Sequence, residues 1–218
     1  MPTPVCDGYT FGGWYLDDAR KKQIKKITPA TMETMCLYAK WTPMKYTITF
    51  DANVPDGLRK SGSTAKQTMV YGTDKALNKN GFKIKGYTFC GWSTTRHDVL
   101  PANAPQEEID KAIDYTNSQK VSRVTKYYRQ SAKLYAVWKK DTYTISLNGN
   151  GFVDNSKLNS LTYDVDTAVS VSEFGYPSRM GYTFMGWYTD KKCTKKAANI
   201  KAGTTGNKTY YAKFVINK

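Results

Sequence analysis

Alternating apolar and polar residues mark short strands along this chain. In the segment 46–50, Tyr46, Ile48 and Phe50 fall on one face of an extended backbone, and threonines fall on the other. The segment 143–147 repeats this alternation. A period of two residues is typical of a strand with one buried face. We therefore predict a β-strand in each segment.

Each of these strands is predicted to begin a hairpin. Residues 148–151 alternate Asn and Gly, which tolerate the positive φ angles of tight turns. The return strands are predicted within 65–71 and 160–163. Short helical stretches at 74–77 and 171–174 would then cross the sheet.

Two longer phrases occur three times each. The phrase Gly-Tyr-Thr-Phe-x-Gly-Trp begins at Gly8, Gly86 and Gly181. The phrase Tyr-Ala-x, followed by Trp or Phe, begins at Tyr38, Tyr135 and Tyr211. Repetition of this kind indicates an array of one small unit. We call the strands that these phrases predict the motif strand and the closing strand, and we expect the motif glycines to allow a bulge or a close backbone approach.

The repeats divide the chain into three units. Residues 1–43 are predicted to be the C-terminal half of a truncated repeat, 44–140 a full repeat and 141–218 another full repeat. We refer to them as the first, middle and third units, and on this division the chain is expected to begin in mid-repeat. The joins Thr42–Lys45 and Lys139–Thr142 are short, so adjacent units are expected to be restrained in orientation.

The predicted fold class is α+β. Each unit is expected to be a small β-grasp-like domain, with a mostly antiparallel or mixed sheet and one short helix. The 17 Tyr, 8 Phe and 5 Trp suit this architecture. A domain of roughly 70 residues buries only about 60% of its unfolded surface, so it needs bulky rings to build a core.

The three ordered phrases together resemble a known family. They are similar to the phrases of the Listeria–Bacteroides repeat, also called the B repeat of internalin B, and the resemblance covers nearly the whole chain. It implies a β-grasp-like repeat of large bacterial surface proteins. Such repeats often occur in tandem, and often between a ligand-binding region and a cell-wall anchor.

The middle unit departs from the repeat by an insertion. The motif glycine and the tyrosine of the closing phrase are 49 residues apart here, from Gly86 to Tyr135, and 30 apart in the other two units. The 19 extra residues lie within about 98–128. Acidic residues after Pro105 and apolar residues at helical spacing predict a short amphipathic helix over about 106–117. This helix either packs on its own or a neighbouring unit, or docks a partner.

Positive charge is concentrated in two equivalent loops. The chain of 218 residues has a net charge of +15, and such an excess favours acidic polymers or surfaces as partners. The candidate anion-binding residues are Arg20, Lys21, Lys22, Lys25 and Lys26 after the first motif, and Lys191, Lys192, Lys195 and Lys196 after the third. These residues either form solvated loops or bind sulfated glycans, teichoic acid or acidic lipid head groups in a salt-dependent way.

The four cysteines do not recur with the repeat, which argues against a disulfide framework. Cys6 and Cys36 flank the two strand phrases of the first unit and could pair. Four small, partly buried thiols are the favoured interpretation.

Catalytic and metal-binding patterns are weak in this sequence. His97 is the one histidine, and its position beside Asp98 and near Cys90 could suggest a Cys-His nucleophilic pair. It has no copy in the other units, whereas the recurring residues are copied, so a surface histidine is favoured. Zinc needs about four ligands at regular spacing, and neither a zinc nor a calcium pattern is present. We predict no enzyme, no cofactor and no metal.

The sequence predicts a non-enzymatic repeat segment of a bacterial surface protein that acts as a spacer and adhesion module. We expect an extracellular, cell-surface or cell-wall location and a monomer without membrane insertion. The expected partners are host or bacterial surface glycans or a protein receptor. Nucleic acid is disfavoured because the aromatic residues occupy fixed repeat positions, as core rings do. Two alternatives stay open: a module that binds anionic polymers through the basic loops, and an accessory repeat of a larger surface enzyme.

Overall fold

The computed structural model describes residues 1–28 and 36–218, and this part of the chain is mostly β-strand. Its strands form three main sheets and a separate two-stranded ladder. The strands of the first sheet are β1 (Tyr9–Tyr15), β2 (Gln23–Ile24) and β3 (Tyr38–Pro43). Their order is β2-β1-β3, and both pairs are antiparallel.

The second sheet lies within the middle unit and has the order β5-β8-β9-β11-β4-β6. Its strands are β4 (Lys45–Asp51), β5 (Lys60–Ser61), β6 (Gln67–Val70), β8 (Lys83–Ile84), β9 (Tyr87–Ser93) and β11 (Ser131–Lys140). The separate ladder pairs β7 (Lys75–Ala76) with β10 (Lys120–Val121). The predicted hairpin of this unit is formed by β4 and β6, which pair in antiparallel register.

The third sheet lies within the third unit and has the order β13-β12-β15-β14. Its strands are β12 (Tyr143–Asn148), β13 (Leu161–Tyr163), β14 (Tyr182–Tyr188) and β15 (Lys208–Ile216). Two 3-10 turns, Asn155–Lys157 and Val171–Phe174, lie between its strands. The division of the chain into a truncated repeat (1–43) and two full repeats (44–140 and 141–218) stays a prediction.

The closing strand lies in the middle of the sheet in both full units. Strand β11 pairs in parallel with β4 and antiparallel with the motif strand β9. Strand β15 pairs in the same two ways with β12 and β14. A parallel pair needs a long connection, and here the connection runs through the return strand of the hairpin and the motif strand before it reaches the closing strand.

The prediction of an α+β fold with β-grasp-like units and one short helix per unit is wrong. Within the described residues the only α-helix is α1 (Gln106–Ala112), which lies in the insertion. The segment 74–77 contains strand β7, and Val171–Phe174 is a single 3-10 turn. Gly175, with a φ of 76°, ends this turn, so no helix crosses the sheet there.

Aromatic rings close the core of the third unit where a helix was expected. Phe174, carried by the 3-10 turn, is buried with its ring centroid 4.8 Å from that of Tyr210 in the closing strand. Trp187 is 2% exposed and packs against Phe184 at 5.6 Å. Rings of this size bury 150–250 Å² each. Phe174 from the extended crossover and Trp187 from the motif strand therefore fill this core without a helix.

Helix α1 is shorter than the predicted 106–117. It ends at Ala112, because the following residues pair with the motif strand instead. The backbone N–H groups of Asp114 and Tyr115 donate to the carbonyl of Trp92 at 2.9 and 3.0 Å, and Trp92 N–H donates to the carbonyl of Tyr115 at 2.8 Å. A side-chain carbon on Gly91 would lie 2.8 Å from that Tyr115 carbonyl, so this motif glycine allows the close approach.

Trp92 is at the centre of the core of the middle unit. It is fully buried, and its ring centroid lies 4.7 Å from that of Phe50 and 4.9 Å from that of Phe89. Ile48 and Leu134, from the two strands that pair in parallel, are also fully buried in this cluster.

Trp92→Ala is expected to lower the free energy of unfolding of the middle unit by about 3–5 kcal/mol, because it removes a fully buried ring. Trp14→Ala removes the equivalent ring of the first unit, which is half-buried, and should cost less. Hydrogen exchange of the Leu134 and Ala136 amides measures the free energy of the middle unit, and exchange of the amides of strand β1 measures that of the first unit. An unchanged exchange rate in Trp92→Ala would contradict the assignment of this ring to the core.

Candidate functional site

One aspartate organises the basic loop of the first unit. The carboxylate of Asp17 accepts the backbone N–H groups of Lys21 and Lys22 at 3.1 and 2.7 Å. The backbone N–H of Leu16 donates to the carbonyl of Lys22 at 2.9 Å, which closes the loop beside the motif strand. Arg20 lies in the loop with a φ of 52°.

The basic loop of the third unit has the same construction. Asp190 accepts the backbone N–H groups of Thr194 and Lys195 at 3.1 and 2.8 Å. Thr189 N–H donates to the carbonyl of Lys195 at 2.9 Å, and Cys193 has a φ of 54°. Hydrogen bonds from the loop backbone lower the pKa of Asp190, as they lower that of Asp17 in the first loop.

All nine predicted anion-binding residues are exposed. Arg20 differs from the lysines because its guanidinium is turned back onto its own unit. Its Nε donates to the carbonyl of Ala39 at 3.3 Å, and its Nη1 donates to the carbonyl of Asp18 at 2.8 Å. The surface available to an anionic ligand is therefore mainly lysine: Lys21, Lys22, Lys25 and Lys26 in the first unit, and Lys191, Lys192, Lys195 and Lys196 in the third.

A lysine stacked on a tyrosine lies beside each basic loop, and the sequence-based prediction missed it. Lys40 Nζ lies 5.5 Å from the ring centroid of Tyr15, and Lys213 Nζ lies 5.0 Å from that of Tyr188. Each lysine is the variable residue of the closing phrase, and each tyrosine follows the motif tryptophan. The recurrence of Lys and Tyr together in two of the three copies was the available signal.

The insertion covers the equivalent face of the middle unit. Val137 replaces the stacked lysine there, and it is fully buried against Leu100 and Ala112. Ile109 and Ile113 pack against the same cluster. The predicted helix therefore packs on its own unit, on a face that in the other two units carries an exposed basic loop.

The first and middle units meet at a motif glycine. Gly8 is buried, and a side-chain carbon on it would overlap the ring of Tyr71. This ring also packs edge-on against Tyr9, with centroids 5.7 Å apart. The Tyr71 hydroxyl donates to Asp7 Oδ2 at 3.1 Å, and the same oxygen accepts the backbone N–H of Tyr128 at 2.7 Å. We call this contact the first joint.

The middle and third units meet at the equivalent glycine, in what we call the second joint. Gly86 is buried, and a side-chain carbon on it would lie 2.8 Å from Cβ of Val165. Lys140 Nζ forms an ion pair with Asp166 Oδ2 at 2.6 Å, and this hydrogen bond raises the pKa of Lys140. The Tyr87 hydroxyl donates to the other oxygen of Asp166 at 3.4 Å.

Tyr71 and Val165 occupy the same position in their hairpins. Met69 and Tyr163 each pair with the first residue of a Tyr-Thr-Ile strand, and each joint residue follows two positions later. Val165 packs into the hydrophobic core of the middle unit, although it belongs to the third. The two joints therefore have the same construction: in each, a motif glycine packs against the equivalent residue of the following hairpin.

Both joint glycines lie in a tight turn before the motif strand. Gly8 and Gly86 have φ angles of 79° and 85°. Each is the third residue of its turn, the place where type II turns take glycine. The N–H of Tyr9, which follows Gly8, donates to the carbonyl of Cys6 at 3.1 Å and closes the first turn.

The histidine does not meet a cysteine. His97 Nε2 lies 3.2 Å from the hydroxyls of Ser93 and Thr95, and the Ser93 hydroxyl donates to Asp114 at 3.1 Å. The thiol of Cys90 packs under the insertion, where burial raises its pKa. The described geometry therefore gives no support to a Cys-His nucleophilic pair.

All four cysteines are free thiols, with Cys6 and Cys36 on the surface. Within residues 1–28 and 36–218, no group of three or more His, Cys, Asp or Glu side chains is placed to hold a metal ion. Among the described residues, no helix has both the length and the apolar character that a membrane crossing needs.

Asp190→Ala is expected to loosen the third basic loop, because the N–H groups of Thr194 and Lys195 lose their acceptor. Amide exchange at these two residues should accelerate several-fold, whereas the matching Asp17 loop should not change. The lowered pKa means that the contribution of Asp190 to stability is fully present above the ordinary aspartate value of 3.8 and is lost as the pH falls through the lower folded value. An NMR titration midpoint of this carboxyl at or above 3.8 would contradict the described loop.

Two curated relatives from Evansella cellulosilytica match almost the whole chain. One, named "Putative Gly-rich membrane protein", is 27% identical over 214 residues, which are 98% of this chain and 21% of the relative. The other, named "Putative membrane protein", is 25% identical over 217 residues, 99% of this chain and 28% of the relative. The chain spans about a quarter of the length of these relatives.

The family model of the Listeria-Bacteroides repeat domain matches residues 1–40, 46–104 and 143–213. Each matched region contains one copy of the Gly-Tyr-Thr-Phe-x-Gly-Trp phrase, and the match in the middle unit stops within the insertion. The matched regions cover well over half of the chain, and the chain therefore belongs to the Listeria-Bacteroides repeat domain family.

Proposed function

We propose that this chain is a non-enzymatic spacer segment of a repeat-containing surface or membrane protein. The observation that carries the proposal is the joint that recurs between units, in which a buried motif glycine packs on the following hairpin. A spacer has to keep its length and direction under thermal motion. A contact that is built the same way at each junction supplies this property.

The short joins add to the restraint at each joint. Strand β3 ends at Pro43 and β4 begins at Lys45, while β11 ends at Lys140 and β12 begins at Tyr143. Links of this length leave little freedom for one unit to reorient against the next. Because each link is short, little conformational entropy is lost when the motif glycine of one unit contacts the hairpin of the next.

The family and the relatives support an envelope location for such a spacer. Both relatives carry the word membrane in their names, and both are several times longer than this chain. We propose that the parent protein lies at the cell surface and that these units hold a binding region away from it. Several weak surface sites along a rigid array would also bind a multivalent partner more tightly than one site alone.

Small-angle X-ray scattering tests the rigid spacer directly. The 218-residue chain should scatter as one body with the unit arrangement described above. Val165→Lys places a charge where the second joint is buried, so this variant should show a larger maximum dimension and the profile of a hinged chain.

Val215→Lys is the matched control for this variant. It makes the same change in the same unit, at a residue that is 41% exposed. Its scattering should equal that of the unchanged chain. If Val165→Lys also scatters like the unchanged chain while its circular dichroism stays folded, the joint does not fix the orientation and the spacer proposal fails.

A second candidate function is the binding of anionic polymers by the basic loops. Two observations favour it. The lysines are exposed in both loops, and in each loop an aspartate accepts hydrogen bonds from the loop backbone and fixes its conformation. Sulfated glycans and teichoic acids present repeated negative charges that such spaced loops could contact together. The attraction would be screened as salt rises, since the Debye length falls to about 8 Å at physiological ionic strength.

Heparin chromatography tests this second candidate. The unchanged chain should elute above about 0.15 M salt. A variant with Lys21, Lys22, Lys195 and Lys196 all replaced by Glu should elute at clearly lower salt than a charge-matched control. The control replaces four exposed lysines outside the loops with Glu: Lys66, Lys79, Lys83 and Lys201. Equal shifts in the two variants would show a response to net charge alone and would remove the loop assignment.

A further inference from the structure

The third unit carries a copy of the joint surface that no other unit covers. Asn217 N–H donates to the carbonyl of Gly181 at 2.9 Å. In the two joints the same bond runs from Met44 to Gly8 at 2.8 Å and from Asp141 to Gly86 at 3.0 Å. The turn before the motif strand is also the same, because Gly181 has a φ of 77°. We call the surface around Gly181 and Asn217 the third joint face.

Exposure is what distinguishes the third joint face from the other two. Gly8 and Gly86 are buried, whereas Gly181 is exposed and a side-chain carbon on it would meet no atom within 4 Å. The neighbouring Met180 is 98% exposed and Ile216 is 70% exposed. This end of the third unit therefore displays apolar side chains around a glycine that the other two copies cover.

We propose that the third joint face binds the first hairpin of a further repeat of this family. The two occupied joints define the partner. In its hairpin, one residue of the return strand pairs with the first Tyr of the Tyr-Thr-Ile strand. Two positions after that residue, the hairpin must carry an apolar side chain. In this chain that side chain is Tyr71 at the first joint and Val165 at the second. Tyr71 already contacts Gly8 and Val165 already contacts Gly86, so a second copy of the chain cannot offer either residue without opening a joint.

The number of residues between the closing phrase and the next Tyr-Thr-Ile strand is compatible with a further repeat joined directly to the third unit. The next Tyr-Thr-Ile strand begins five residues after the final aromatic residue of the closing phrase, from Trp41 to Tyr46 and again from Trp138 to Tyr143. The same residue of the third unit is Phe214. A strand that starts directly after position 218 keeps this spacing.

A four-unit chain provides the test, in which a second copy of residues 143–218 is joined directly after Lys218. The amide of Asn217 is the reporter, because its hydrogen bond to Gly181 lies at the face that would be covered. Its exchange rate, measured by NMR, should fall at least tenfold relative to the 218-residue chain. Replacing Val165 with Lys in the appended copy alone should return the rate to that of the 218-residue chain.

The inference rests on the proposed spacer function, and a parallel variant separates the two. Val165→Lys at its own position should accelerate exchange of the Asp141 amide, which reports on the second joint. If this variant has no effect on Asp141, the recurring joint itself is wrong. If it does have the effect while Asn217 is unprotected in the four-unit chain, only the inference about the third joint face is overturned.

The remaining outcomes also decide the question. An appended unit that stays unfolded, or folds without protecting Asn217, shows that the face does not bind a repeat. Protection of Asn217 that increases with the concentration of the 218-residue chain would identify a second copy as the occupant and would overturn the proposal.

Discussion

The pairing of the closing strand on both of its edges is the constraint on which the structure depends. In each full unit this strand lies between the first strand, to which it is parallel, and the motif strand, to which it is antiparallel. Its inner face supplies fully buried residues such as Leu134 and Ala136. The residue that follows this strand, Asp141 in the middle unit, donates its N–H to the carbonyl of the motif glycine, and the chain then leads at once into the next unit. The closing strand therefore contributes both to the core of its own unit and to the joint with the next unit.

The motif glycine satisfies a local and a long-range requirement together. Locally, Gly86 takes a positive φ that closes a turn, which other residues reach only with strain. At long range, the same missing side chain admits Val165 from the following unit. Gly181 meets only the local requirement in this chain, which shows that the turn does not need the neighbour. The family phrase thus encodes both a fold and a way to stack copies of it.

The insertion exchanges one surface chemistry for another. In the first and third units a lysine lies over a tyrosine beside a basic loop, as with Lys213 and Tyr188. In the middle unit the corresponding residues are Val137, which packs against the short helix, and Ser93, whose hydroxyl donates to Asp114. The sequence contained this exchange, since both positions change in the same copy. No local pattern reveals that the two changes belong together, because the two positions lie far apart in sequence and meet only across the pair of motif and closing strands.

Local signals in the sequence, a period of two residues and copied phrases, are enough to predict the main strands, the two hairpins, the repeat family and the two basic loops. What covers each sheet and what joins the units depends on contacts between distant segments. The segment 171–174 was expected to be a helix that crosses the sheet, yet Phe174 and its neighbouring rings close the core without one. At the joint the motif phrase shows only one side of the contact, the missing side chain at Gly86. The other side is a hairpin residue nearly eighty positions away, and no local pattern marks it as the partner, because only the folded chain brings the two together.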